Sequence, residues 1–148
     1  YGGMVVPSSF VCFKSLKELY DTNIRENKMF VGEFLNKTAN ESLQKDLVPS
    51  TMLMGSPANN DVMNEFINHM EVLNSTDFTA QSDFLGNTNK WLNDAVADQK
   101  INTVVGEYIG TKKSCGSPVY IEELIGSTFI ELNSDAFGSC VVIFVTNN

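Results

Sequence analysis

Val119-Tyr120-Ile121-Glu122-Glu123-Leu124-Ile125-Gly126-Ser127-Thr128-Phe129-Ile130-Glu131-Leu132, continuing to Cys140-Val141-Val142-Ile143-Phe144-Val145, is the most apolar part of this chain. β-Branched and aromatic side chains dominate it, and these suit a pleated, buried surface. Gly126-Ser127 separates the first two runs, and Asn133-Ser134-Asp135-Ala136-Phe137-Gly138 separates the second from the third. The pattern predicts three antiparallel strands. Together with helical segments upstream it predicts an α+β fold, with helices packed on one face of a mainly antiparallel sheet centred on residues 119–145.

A chain of 148 residues reads as a single domain, 1–148, long enough to bury about two-thirds of its unfolded surface. It opens on Tyr1-Gly2-Gly3 without Met, so it reads as processed, tagged or excised from a longer protein. Asp and Glu number 18 against 10 Lys and Arg, for a net charge of −8. Phosphate binding needs clustered cations, and the densest basic spot is Lys112-Lys113. That excludes nucleic acid as a partner class and disfavours anionic membrane surfaces. No run reaches the roughly 18–20 apolar residues that a membrane helix requires, so no membrane insertion is expected.

Upstream, Met4-Val5-Val6-Pro7 reads as a short edge strand, because Pro7 cannot donate to a ladder. Phe13, Leu16, Leu19 and Tyr20 recur at helical spacing over 15–23, with Lys14 and Glu18 outside that stripe. Phe30, Val31, Phe34 and Leu35 predict a further helix over 28–36 despite Gly32. Val48-Pro49-Ser50 reads as a helix stop, Thr51–Met54 as a strand and Gly55–Asn60 as a loop. Asn60 or Asp61 then caps a helix with Val62, Met63, Phe66, Ile67 and Met70 inward. From Thr88 the period is helical through Trp91, Leu92, Ala95 and Val96. It resumes with Ile101, Val104, Val105 and Tyr108 after a break at Asp98-Gln99-Lys100.

Chemistry is sparse. His69 is the single histidine and, on the helix beginning at Asp61, reads as a structural side chain. With one His and three spread cysteines there is no zinc pattern, and no phosphate loop or nucleophile elbow occurs. Adjacent strand residues face opposite ways, so Glu122 and Glu123 cannot share a site, and with Glu131 they read as solvated charges. No catalytic, cofactor-binding or metal-ligating residue is predicted. Two readings of the cysteines stand. Either Cys115 and Cys140 pair in a disulfide worth about 3 kcal/mol, with Cys12 reduced and buried, or all three thiols are free and small-apolar in character. Acceptor triplets make Asn36, Asn40 and Asn74 glycosylation candidates, which favours an extracellular or secreted chain.

The nucleus also resembles the serpin family, in the part leading into its reactive loop. Val119-Tyr120-Ile121-Glu122-Glu123-Leu124-Ile125 is similar to the family's Leu-Tyr-Val-Ser-Asp-Val-Ile. Phe129-Ile130-Glu131-Leu132-Asn133-Ser134-Asp135-Ala136 is similar to its Phe-Ile-Glu-Val-Asn-Glu-Glu-Gly, with no gap between the pieces. Serpins are more than twice as long, so the resemblance covers a C-terminal half at most. Inhibitory members need small residues in the hinge that follows, whereas Phe137 and Val141–Val145 are bulky. The resemblance therefore implies a non-enzymatic binding or assembly module that does not trap proteases. The alternative is a self-associating extracellular structural protein using an apolar C-terminal strand, Phe137–Val145. The partner is another protein or a second copy. A small-molecule carrier, with Phe10, Phe13, Phe30 and Phe34 lining its pocket, is a third possibility.

Overall fold

A computed structural model of the chain describes residues 1–35, 47–76, 81–126 and 129–140. In chain order its elements are β1 (Gly3–Val5), β2 (Phe10–Cys12), α1 (Leu16–Asn23), β3 (Phe30–Leu35), β4 (Leu47–Ser56) and α2 (Asp61–Ser75). Then follow α3 (Gln81–Ala97), β5 (Asn102–Val104), α4 (Gly106–Ile109), α5 (Ile121–Ile125) and β6 (Gly138–Cys140), and a 3-10 turn at Arg25–Asn27 joins α1 to β3. The fold is α+β. Four strands form a sheet in the order β1-β4-β3-β5, antiparallel except that β5 runs parallel to β3. A separate two-stranded ribbon pairs β2 with β6.

The sheet's centre is therefore β3 and β4, not residues 119–145. Of those residues, Ile121–Ile125 is helix, 129–132 carries no strand and Gly138–Cys140 belongs to the ribbon, while 127–128 and 141–148 lie outside the described residues. The short run Tyr120–Ile125 has too few residues for its period to separate helix from strand. Glu123 settles it by reaching back to the Tyr120 N–H at 3.0 Å, which closes the first turn of α5.

The predicted helix over 28–36 is likewise a strand. Phe30 and Phe34 point to one face of the sheet and Val31 to the other, so β3 is buried on both sides. A strand apolar on both faces mimics a helical stripe. Leu19 from α1, Leu53, Val104 and Ile109 from α4 close over Phe30 and Phe34. Phe66 from α2, Leu92 and Ala95 from α3, Met29 and Ile101 cover Val31 on the opposite face. Helices thus sit on both faces rather than one. Burying each large side chain here contributes about 1.5–3 kcal/mol.

Pro49 enters β4 opposite Glu33 without breaking the ladder. β1 reaches only Met54–Ser56 along β4, so among the described residues no strand pairs with the far edge at Pro49, where a missing N–H is tolerated. The clearest sequence signal, α2, forms with its expected cap, the Asn60 side chain accepting from the Met63 N–H at 2.8 Å, although Ile67, expected inward, is 47% exposed.

Candidate functional site

α1 amphipathicity has two consequences. Leu19 is buried against the sheet, and on another flank Glu18 and Thr22, four apart, form the wall of a groove together with Lys14 just before the helix. The facing wall is β5 with Val105 and Tyr108, and Phe137 closes one end. The groove encloses about 430 Å³.

β5 presents open backbone to it. The Asn102 N–H donates to the Met29 carbonyl at 2.8 Å, so this peptide group addresses β3. Successive groups along a strand face opposite edges, which turns the N–H and C=O of Thr103 away from β3. Among the described residues no strand pairs on that side. Val105 and Tyr108, 40% and 42% exposed, continue the wall with apolar surface that water still reaches.

Three contacts hold the groove's walls apart at a fixed spacing. At one end the Asn102 side-chain amide donates to the Asn23 carbonyl at 2.9 Å, tying β5 to the end of α1. At the other end Lys14 reaches Asp135 at 3.3 Å and lies 5.9 Å over the Phe137 ring. The Phe137 N–H donates to the Tyr108 carbonyl at 2.8 Å, fixing Phe137 against α4. Glu33 supports α4 from β3: its carboxylate accepts the Gly106 N–H at 2.9 Å, with Lys112 at 3.8 Å. A second hollow, on the outer side of α1, is lined by Ser15, Lys17, Glu18, Asp21, Thr22 and Arg25, with no aromatic side chain and no strand edge among them.

The residues singled out in the sequence do not converge on one site. His69 is half-buried on α2 and stacks on Trp91 with centroids 6.0 Å apart, while Phe66 packs on the same indole at 4.9 Å. Its Nε2 finds no hydrogen-bond partner among the described residues. No group of three or more metal-ligating side chains forms among those residues. Glu122 and Glu131 are exposed. Glu123 pairs with Lys113, whose hydrogen bond holds the carboxyl below the usual carboxylate range, with help from the Tyr120 N–H. The same hydrogen bond raises the Lys113 ammonium.

Cys115 carries a free, exposed thiol at a turn with Gly116 in the left-handed region (φ 82°). It lies 3.1 Å from the Ser117 hydroxyl, which pulls the thiol down, aided by the Ser117 backbone and, more weakly, by Lys113. Its expected partner, Cys140, has its side chain outside the described residues. Cys12 is free but exposed rather than buried, because β2 is an outer ribbon strand. Asn36 and Asn40 also lie outside the described residues; Asn74 is exposed in the last turn of α2. Phe30 and Phe34 are core, whereas Phe13 is 54% exposed, so the four phenylalanines line no common pocket.

Sequence reading missed the groove. Lys14 and Glu18 were visible as the polar flank of α1, but 101–108 read as helix, and a three-residue strand leaves no period to find. Among the described residues no helix is long and apolar enough to cross a membrane. No protein-family model, curated protein or solved structure matches the chain.

Proposed function

We propose that this chain is a non-enzymatic protein-binding module that takes an extended peptide into the groove between α1 and β5. The observation that carries the reading is the outward-facing backbone of Thr103, opposite a helix wall at a spacing that leaves about 430 Å³ between them. An incoming strand gains main-chain hydrogen bonds from such an edge, and alternate side chains find pockets beside it. Tyr108 and Phe137 supply aromatic anchor surface of the kind that dominates binding energy.

Selection from a displayed library of random octapeptides tests this. Synthetic copies of the selected peptides should shift the amide resonances of Thr103 and Val105. Thr103→Pro should weaken them about tenfold while leaving the fold intact, because the lost N–H serves no ladder bond. Selected peptides that bind Thr103→Pro unchanged would sink the reading.

Protease trapping is not part of this function. Phe137 is held against Tyr108 and Lys14, and Gly138–Cys140 is already paired with β2. Incubation with serine and cysteine proteases is expected to leave no covalent complex; a stable adduct would restore the trapping mechanism. Self-association is the second reading, favoured by Val11 and Phe13, 62% and 54% exposed beside the ribbon. Light scattering that shows only monomers at every concentration would remove it. The acceptor triplet at Asn74 favours an extracellular setting, while free thiols at Cys12 and Cys115 suit a reducing one.

A further inference from the structure

The charges around the groove are unevenly satisfied. Lys14 is committed to Asp135 and to the Phe137 ring. Lys17 pairs with Asp21, and Lys17 and Arg25 line the outer hollow, which Glu18 also borders, but not the groove. Glu18, midway along the helix wall, pairs with no cation among the described residues. Among the described residues that line the groove, the one charge without an ion-pair partner is therefore negative, and it sits on a chain of net charge −8.

We infer that the occupant is a basic segment of another protein, extended along β5, with a Lys or Arg opposite Glu18 and a large apolar residue over Tyr108 and Phe137. This rests on the peptide-binding reading of the groove. Complementary charge steers such a partner in and fixes its register, while the apolar contact and the Thr103 backbone hold it. A second copy of this chain is the poorer occupant. It brings the same −8 charge, and the other edge strand of its four-stranded sheet, Gly3–Val5, carries no cation.

Two capped octapeptides, one alternating valine with lysine and one alternating valine with glutamate, are titrated into isotopically labelled protein at low salt. The lysine peptide should shift the amides of Thr103, Val105 and Tyr108 and bind about tenfold tighter than the glutamate peptide. Glu18→Lys lies on an exposed helix face and should preserve the fold. It should weaken the lysine peptide about fivefold and improve the glutamate one. Equal binding of both peptides at the groove amides would overturn the basic preference and leave the peptide-binding reading standing. Shifts confined to residues away from the groove would overturn both. Dimer formation that displaces the lysine peptide would assign the groove to a second copy and likewise overturn the inference.

Discussion

The main sheet and the β2–β6 ribbon share one device, a phenyl ring laid over a glycine of the neighbouring strand, yet depend on it differently. Phe30 covers Gly55 in the sheet, and Phe10 covers Gly138 in the ribbon. Phe30 is fully buried and also meets Tyr20 edge-on at 6.3 Å, so it belongs to a core with helices above and below. Phe10 is only half-buried, and its ribbon consists of two three-residue strands. An isolated two-stranded ribbon is marginal in water. This one borrows its stability from α4, through Phe137 on Tyr108 and through Gly110, where the chain passes against the backbone of Gly138 and Ser139. Burial carries the first region, and stitching carries the second.

Truncating the two rings separates these regimes. Phe30→Ala should cost about 3–5 kcal/mol of global stability, read from urea denaturation. Phe10→Ala should leave the urea midpoint much closer to the parent and act mainly on amide exchange at Val11 and Ser139. Equal global losses would mean the ribbon is part of the core's cooperative unit. Gly110→Ala should come next, at about 2–3 kcal/mol, since Gly110 has φ 68° and its Cβ would meet backbone at 2.7 Å. Its first sign should be loss of exchange protection at Ser139.

Glu33→Ala leaves the buried Gly106 N–H without its carboxylate and should cost about 1–3 kcal/mol, with α4 loosening before β3. The smallest effect is electrostatic. Glu123 has a folded pKa below its ordinary value of 4.5, so its contribution is present above that value and fades as pH falls through the depressed one. Lys113 is raised above 10.5, so its share is complete below that value and is lost only as pH climbs through the raised one. Exchange protection at Tyr120 and Glu123 should therefore drop in acid, and Glu123→Gln should abolish that pH dependence. An unchanged acid profile in the variant would show that the pair does not hold α5 in place.

Legibility in the sequence followed the same division. α2 was readable because Asn60 caps it and Phe66 and Met70 keep one period over fifteen residues. The β1 edge was marked by Pro7, and the break after α3 by Asp98-Gln99-Lys100. β3 was misread because a strand buried on both faces loses its alternation, and 119–125 because apolar content alone does not choose helix or strand. The groove was invisible for a different reason. Its walls come from α1 and from β5 with the turn at Asp135, and nothing local in either stretch announces the other.

That separation governs when the groove can first exist. The contacts that frame the groove join residues 79 and 121 positions apart in the chain, Asn102 to Asn23 and Asp135 to Lys14. Closing loops of this length costs more chain entropy than pairing β3 with β4, the surface against which they dock. A nascent or nicked chain that already holds β1, β4 and β3 therefore has no groove. On the peptide-binding proposal, occupancy by a partner would report that the last third of the chain has arrived and packed, and the partner would in turn stabilise only molecules that have completed it.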